Sequence, residues 1–326
     1  MVKTIFVKDL PNLIGNEVDD LFQIKDLQDK SGKEGQAFLE LTIADVSGTL
    51  TARIFDDVEV LRGKIERGRV HRLRMQVYQF SNQLGIKVLD VERVEDYDIR
   101  HFVPSSSVDP AKLEEDLKSF IRKINNPQLK TLLKRIFVDD EEFRKKFLLA
   151  PAARYYHHNF IGGLAEHTLQ IARVAEAISV LYDVVDKDLL IAGALLHDIG
   201  KVYEMEYTPD IDYTDEGRLF GHLIIGYEIV SKKIHEIEVV NRFPADLRMK
   251  ILHMILSHHG ELQFGSPVRP LFLEAQILHF LDDLDAKAEM FKKASDLRSE
   301  SNTRWSEFSK PLGRSVFLGE LEEEQK

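Results

Sequence analysis

The 326-residue chain contains no cysteine. Disulfides and thiolate metal sites are therefore excluded, and a transition-metal site must use histidine, aspartate and glutamate side chains. Basic residues are outnumbered as well: 44 lysines and arginines face 55 aspartates and glutamates, which gives a formal net charge of -11 at pH 7. This balance argues against a protein that binds nucleic acid through a broad basic surface, but it allows a narrow groove close to metal ions.

Long apolar runs are also missing. No stretch approaches the roughly 20 residues that span a bilayer, and the N-terminal MVKTIFVKDLPNL lacks the apolar region of a signal peptide. We therefore expect a cytoplasmic protein without a membrane partner. A chain of this length exceeds one compact core and favours two domains.

The hydrophobic pattern changes near residue 100. Between about residues 15 and 97, four blocks rich in Val, Ile, Leu, Phe and Thr alternate in part as strands do, with Leu39, Leu41 and Ile43 on one face. DVSG at 45–48 signals a turn that divides the second block into a hairpin. The five predicted strands, with a short helix over DVEVLRGKIERG, favour a small Greek-key barrel of the OB type.

Residues 101–113, HFVPSSSVDPAKL, separate the strand pattern from a helical one that continues from Ala111 to about Phe308. The predicted fold is a multidomain one, with an OB-like barrel followed by an all-helical bundle. The predicted boundaries are a nucleic-acid-binding barrel at 1–100, a linker at 101–113, a helical domain at 114–310 and a C-terminal tail at 311–326, of which the last residues, 321–326, are expected to be solvated.

An OB fold offers a ligand face on its second and third strands. Arg53, Phe55 and Phe38 are candidates for contacts with bases on that face, and Tyr78 and Phe80 are candidates on the fourth strand. Alternatively, these aromatic residues close the barrel core or pack on the second domain.

The segment HDIGK, residues 197–201, ends an otherwise apolar helical run. One interpretation is that Gly200 caps the helix and Lys201 complements the helix dipole. However, a buried His197 beside an unpaired Asp198 would cost several kcal/mol, so this pair needs a metal ion, hydrogen-bond donors or water.

Ten of the twelve histidines lie in the helical half, several of them at predicted helix ends. Asp282 and Asp285 are three residues apart on the last long helix and share a face. A nitrogen and oxygen ligand set of this kind suits Mn, Fe, Zn, Co or Ni better than Mg. It also suits two metals that share an aspartate and activate a water for attack on phosphorus. We interpret His235, His253 and His279 as packing or surface residues.

The order of a histidine, a His-Asp pair and an aspartate on successive helices resembles the HD-domain metal-dependent phosphohydrolases. The residues in the four defining positions are His167, His197, Asp198 and Asp282. His222, His258 and His259 match the additional histidines of the two-metal subset.

A closer resemblance is to the bacterial 3'-to-5' exoribonucleases of the YhaM type. It rests on the segments YHHNFIGGLAEHT, LLIAGALLHDIGK, GHLIIG, ILSHHGELQFGSP and ILHFLDDLDAK behind an OB-like domain. The resemblance implies two divalent ions, Mn first with Co, Fe, Ni or Zn as alternatives. It also implies hydrolysis of single-stranded RNA, with single-stranded DNA as an alternative, from the 3' end to nucleoside 5'-monophosphates.

The same resemblance implies a role for each matching residue. The four defining residues would hold one metal and the three additional histidines the second, with Asp198 as the bridge. Lys201 would neutralise a phosphate oxygen in the transition state, and His158 and Arg269 would contact substrate. Asp283 stands where relatives tend to have asparagine and is an alternative ligand to Asp282, whereas Asp285 would support a ligand by hydrogen bonding.

Two other functions stay open at this point. A phosphohydrolase of nucleotides or cyclic dinucleotides would use the same metals, although a small substrate does not need a strand-binding barrel. A nucleic-acid-binding module with an inert metal site would be expected to lack ligands, and no ligand position is missing here. The oligomeric state is undecided, and a homo-oligomer is compatible with the sequence.

Overall fold

The structure is a computed structural model that describes residues 2–32, 35–106, 108–154, 158–209, 211–296 and 304–319. The chain divides into two compact units. One comprises Met1–Ser105 with Tyr207–Asp212, and the other comprises Ser106–Glu206 with Tyr213–Lys326. The predicted fold class is confirmed, because a closed five-stranded barrel precedes a helical region.

The barrel closes in the strand order β1-β2-β3-β5-β4. Neighbouring strands are antiparallel except β3 and β5, which are parallel where Arg53 lies opposite Lys87. This is a five-stranded barrel of the OB type, as the sequence predicts. Its strands are β1 (Glu17–Ser31), β2 (Ala37–Asp45), β3 (Gly48–Ile54), β4 (Val70–Phe80) and β5 (Gln83–Arg93), with α1 (Val58–Arg62) between β3 and β4.

Alternation along β2 decides which side chains fill the barrel. Leu39, Leu41 and Ile43 point inward and are fully buried. The side chains between them, Phe38, Glu40 and Thr42, are only partly buried. Because successive side chains on a strand lie on opposite faces, the same register that builds the core presents a mixed aromatic and polar outer face.

A buried aspartate fixes the N-terminal segment to the barrel. Asp20 is 4% exposed, and its Oδ2 accepts hydrogen bonds from the Thr4 N–H, the Thr4 hydroxyl and the Ile5 N–H at 2.7–2.9 Å. Burial alone would raise the pKa of Asp20, but the N–H groups of Leu21, Thr4 and Ile5 lower it. The ionised carboxylate is therefore the form that the folded barrel stabilises.

The helical unit contains α2 to α10. Side chains of Asp109, Asn126, Asp140, Asp186 and Thr214 cap five of these helices by accepting N–H groups of the first turn. The helices are α2 (Pro110–Lys123), α3 (Pro127–Phe137), α4 (Glu141–Leu149), α5 (Gly163–Ser179), α6 (Lys187–Leu196), α7 (Lys201–Glu204), α8 (Asp215–Glu238), α9 (Ala245–Ser257) and α10 (Leu273–Asp296). Two short strands, β6 (Met205–Tyr207) and β7 (Ile211–Tyr213), pair between α7 and α8.

Helix α6 forms the centre of this unit, since every side chain from Leu189 to Leu196 is buried. The helical pattern is predicted to about Phe308, but residues 304–308 are not helical. Isolated β-bridges instead join Trp305 to Phe317 and Ser309 to Arg314. The predicted solvated end of the tail, 321–326, lies outside the described residues.

Among the described helices, none combines the length and the apolar character needed to cross a membrane.

We expect the substitution Asp20→Ala to lower the free energy of unfolding of the barrel by about 2–4 kcal/mol, because it leaves the buried N–H of Leu21 and the N–H groups of Thr4 and Ile5 without their acceptor. Hydrogen exchange of barrel peptides, followed by mass spectrometry, measures this loss. Because folding lowers the pKa of Asp20, the full difference in unfolding free energy between the variant and wild type is present at pH values above the ordinary aspartate pKa. It disappears as the pH falls through the folded-state pKa.

The neighbouring Asp19→Ala is the matched control. Asp19 pairs with Arg72 on the surface, where both side chains are about 40% exposed, so its loss costs less than about 1 kcal/mol. Equal effects of the two substitutions would contradict the anchoring role of Asp20.

Candidate metal centre

The centre lies where α6 ends. His197 and Asp198 follow Leu196 directly, and Lys201 begins α7. The interpretation of Gly200 as the C-cap of this helix is wrong, because His197 is the C-cap of α6 and Gly200, with a right-handed φ of -65°, is the N-cap of α7. A Cβ at Gly200 would lie 2.0 Å from the carbonyl oxygen of His222 in α8, so glycine is needed for close approach of α8.

A first group of side chains meets at this point from α5, the α6–α7 turn and α10. His167 Nε2 lies 3.4 Å from Asp198 Oδ2, 3.2 Å from Asp282 Oδ1 and 3.3 Å from His197 Nε2. One potential ligand atom from each of the four residues lies within 4.8 Å of the others. We call these four residues the first cluster.

A second group comes from α8 and the end of α9. His222, His258 and His259 form it, and the Nε2 atoms of His222 and His259 are 3.3 Å apart. We call these three histidines the second cluster. The other carboxylate oxygen of Asp198, Oδ1, lies 3.5 Å from His222 Nε2 and 3.4 Å from His258 Nε2. Asp198 therefore faces the first cluster with Oδ2 and the second cluster with Oδ1.

Backbone carbonyl oxygens accept hydrogen bonds from three of the five imidazoles, on the Nδ1 side that faces away from the centre. The Nδ1 atoms of His197, His258 and His259 lie 2.8–2.9 Å from the carbonyl oxygens of Ala194, Ile255 and Phe264. A carbonyl oxygen can only accept, so each neutral ring carries its proton on Nδ1 and turns the Nε2 lone pair towards the centre.

Carboxylates hold the other two imidazoles. His167 Nδ1 lies 2.7 Å from Asp285 Oδ2, and His222 Nδ1 lies 2.9 Å from Glu204 Oε1. Hydrogen bonds of this kind behind a ring fix its orientation and raise its basicity as a metal ligand. The supporting role predicted for Asp285 agrees with this geometry, whereas no motif in the sequence pointed to Glu204.

The electrostatics of the centre keep the shared carboxylate ionised. Burial raises the pKa of Asp198, but the positive charge of Lys201 and the neighbouring His197 lower it well below its ordinary value. Lys201 Nζ is 2.6 Å from Asp198 Oδ2. Burial lowers the pKa of His258 and His259, that of His259 to about 3, so both rings are neutral at physiological pH.

Two of the buried polar atoms that lack a hydrogen-bond partner among the described residues lie at this centre. They are Asp198 Oδ1 and His258 Nε2, which face each other at 3.4 Å. Unpaired groups of this type are costly in a protein interior. The donor set of imidazole nitrogens and carboxylate oxygens fits a divalent transition metal, which would satisfy both atoms.

Residues 164–287 match the sequence model of the HD domain. HD domains are typically metal-dependent phosphohydrolases, and the matched range includes all seven residues of the two clusters. The helical unit therefore contains an HD domain with His and Asp clusters that could bind metal. The closer resemblance to YhaM-type exoribonucleases stays a prediction.

Comparison with solved structures gives two crystal forms of the mitochondrial single-stranded DNA binding protein Rim1 from S. cerevisiae. Their sequence identities to this chain are 10% and 13%, and their TM-scores are 0.22 and 0.21. The matches cover 26% and 25% of this chain and 97% and 98% of the Rim1 chains. The assignment of the barrel rests on its own strand order and closure.

The candidate residues of the barrel lie on its outer face. The Phe38 and Phe55 rings are 5.6 Å apart, and Phe55 and Phe80 are 43% and 73% exposed. The Tyr78 ring covers Gly85, where a Cβ would approach it to within 2.4 Å. Burial in the barrel core is therefore wrong for Phe55 and Phe80. Arg53 is in place on this face, but Glu40 Oε2 accepts both its Nε–H and its Nη2–H.

The two weaker candidates of the helical unit have different surroundings. His158 is buried with a φ of +50°, and its Nε2 lies 3.1 Å from Asp285 Oδ2, so it lies behind His167. Arg269 is exposed and pairs with Glu261 at 2.8 Å, shortly after His259. Substrate contact by either residue stays a prediction. His279, interpreted as a packing or surface residue, packs its ring against Gly260 and donates from Nδ1 to the carbonyl oxygen of His258 at 2.9 Å.

The choice between Asp282 and Asp283 is testable in solution. Asp282 belongs to the first cluster, whereas Asp283 is exposed and pairs with Lys287. We expect Asp282→Ala to weaken Mn²⁺ binding by more than about 100-fold, since losing even a supporting hydrogen bond costs 10–100-fold. Asp283→Ala is expected to leave the affinity unchanged. Isothermal titration calorimetry of both variants measures this, and the reverse ranking would contradict the first cluster.

Proposed function

We propose that the chain is a metal-dependent 3'-to-5' exonuclease that hydrolyses single-stranded RNA, with single-stranded DNA as an alternative substrate, to nucleoside 5'-monophosphates. The observation that carries the proposal is the position of Asp198. One carboxylate serves two ligand clusters of an HD domain, in a chain that also contains an OB-like barrel.

Each cluster would hold one divalent cation. The first would use His167, His197, Asp198 and Asp282, and the second would use the three histidines of the second cluster with the other oxygen of Asp198. Mn²⁺ suits this mixed ligand set, and Co, Fe, Ni or Zn are alternatives. When bound, two such ions would polarise a phosphate oxygen and lower the pKa of water, so no serine or cysteine nucleophile is required.

Lys201 has two functions in this proposal. Lys201 is 8% exposed, and its ammonium group compensates the charge of Asp198, which lets a carboxylate persist in the core. The same group would stabilise negative charge on a phosphate oxygen in the transition state. The bound metal ions and Lys201 would thus compensate the phosphate charge locally, so a basic protein surface is not needed for substrate binding, in agreement with the net charge of -11.

The barrel would bind the single strand upstream of the cleaved bond. Phe38 and Phe55 form a partly exposed aromatic pair on which bases can stack, and such stacking accepts most sequences. Tyr78, on the neighbouring part of the outer face, would add a further stacking surface. Arg53 would contact the phosphate backbone.

The decisive experiment uses metal-stripped protein, added Mn²⁺ and a 5'-labelled single-stranded RNA, with products separated on a sequencing gel. A ladder that shortens from the 3' end is expected. Intact RNA together with hydrolysis of nucleotides or cyclic dinucleotides would contradict the exonuclease and favour a small-substrate phosphohydrolase.

Asp198→Ala is expected to abolish turnover, because it removes a ligand from both clusters at once. Circular dichroism should show unchanged helix content, and Asp283→Ala serves as the charge-matched control with wild-type activity. Retained activity in the Asp198 variant would exclude the shared-carboxylate mechanism.

The double substitution Phe38→Ala and Phe55→Ala is expected to raise KM for a long RNA by about 10-fold or more, since stacking contributes roughly 1–3 kcal/mol per base. The value of kcat should change little, because these side chains belong to the barrel and not to the metal centre. Val60→Ala, an exposed position in α1, is the control. An unchanged KM would rule out this outer face as the strand-binding surface.

A further inference from the structure

Glu204 is a buried carboxylate outside both ligand clusters. It is the last residue of α7 and is 8% exposed. A single oxygen, Oε1, accepts two hydrogen bonds from His222: one from the backbone N–H at 3.0 Å and one from the imidazole Nδ1–H at 2.9 Å. Glu204 thus holds both the main chain and the ring of one member of the second cluster.

The backbone around Glu204 is closely fixed. Its carbonyl oxygen accepts the N–H of Thr214 at 3.0 Å, and a Cβ at Gly217 would lie 2.0 Å from the same oxygen. Gly221 interrupts α8 with a φ of 71°, so the helix restarts at His222. The Glu204 carboxylate then accepts an N–H at the new start, where a negative charge is favourable.

Glu204 has a counterpart behind the first cluster. Asp285 accepts from His167 Nδ1 there, whereas carbonyl oxygens accept from the remaining three imidazoles. Each cluster therefore has one imidazole with a carboxylate behind it. The two clusters differ in their own charges, because the first contains Asp198 and Asp282 and the second has only a share of Asp198.

We infer that Glu204 is a positioning residue for the metal of the second cluster, which orients His222 and supplies negative charge that this cluster otherwise lacks. The inference rests on the proposed two-metal function. It assigns to Glu204 a role in metal binding that is separate from any contact with the substrate.

The test is the Mn²⁺ stoichiometry and affinity of two variants, measured by calorimetry and electron paramagnetic resonance without substrate. Wild type is expected to bind two ions that are magnetically coupled, since paired sites lie roughly 3.5–4 Å apart. In Glu204→Ala one ion should bind 10–100-fold more weakly, and the spectrum should become that of an isolated Mn²⁺. Glu204→Gln can keep both hydrogen bonds through one oxygen but loses the charge, so an intermediate affinity is expected.

Asp285→Ala is the reciprocal variant, which should weaken the ion of the first cluster. Glu216→Gln, an exposed charge removal in α8, should bind two ions as wild type does. Thermal unfolding shows whether Glu204→Ala is folded, and the glutamine variant carries the test if it is not. Two ions with unchanged affinities in the folded Glu204 variants would overturn the inference. A wild-type chain that binds one ion would instead overturn the two-metal proposal itself, and the inference with it.

Discussion

The metal centre of the helical unit is built around one buried carboxylate. Asp198 is 2% exposed, Lys201 Nζ lies 2.6 Å from its Oδ2, and imidazole nitrogens of four histidines lie within 3.5 Å of its two oxygens. An ionised group in a protein interior is tolerated only when it is paired and hydrogen-bonded. Five side chains must therefore converge on one turn, and this requirement constrains where α5, α8 and α9 can cross α6.

The convergence explains why small residues stand beside the site. Gly200 allows the backbone of α8 to approach the turn, and Gly226 on α8 would bring a Cβ to 3.3 Å from the Gly200 nitrogen. A core of apolar side chains would be easier to bury than this polar group. The unpaired Asp198 Oδ1 and His258 Nε2 add to the cost of the metal-free centre. A cation that binds only the folded chain would offset this cost by mass action, so metal binding and stability are linked.

The sequence predicts those features that local pattern controls. Alternation in FLELTIA identifies the inward side of β2, and HDIGK with SHHG and DDLD identifies the polar centre. Contacts between residues that are distant in the sequence cannot be predicted from such local patterns. Glu204 reaches His222 across 18 residues only because Gly221 breaks α8, and the pairing of Arg53 with Glu40 follows from the β2–β3 register.

Charged side chains are compensated differently in the two units. In the helical unit, Lys201 and the histidines offset the charge of Asp198 in the core. On the outer face of the barrel, by contrast, two cations near the Phe38–Phe55 pair already have acidic partners: Arg53 pairs with Glu40, and Lys87 pairs with Asp56 at 2.7 Å. A phosphate that approaches this face must replace a carboxylate as the partner of Arg53, so the exchange contributes little net electrostatic energy. On the proposed function, strand binding by the barrel therefore depends more on stacking at Phe38 and Phe55 than on charge. This is a mode that an acidic protein can use and that salt weakens less than phosphate contacts.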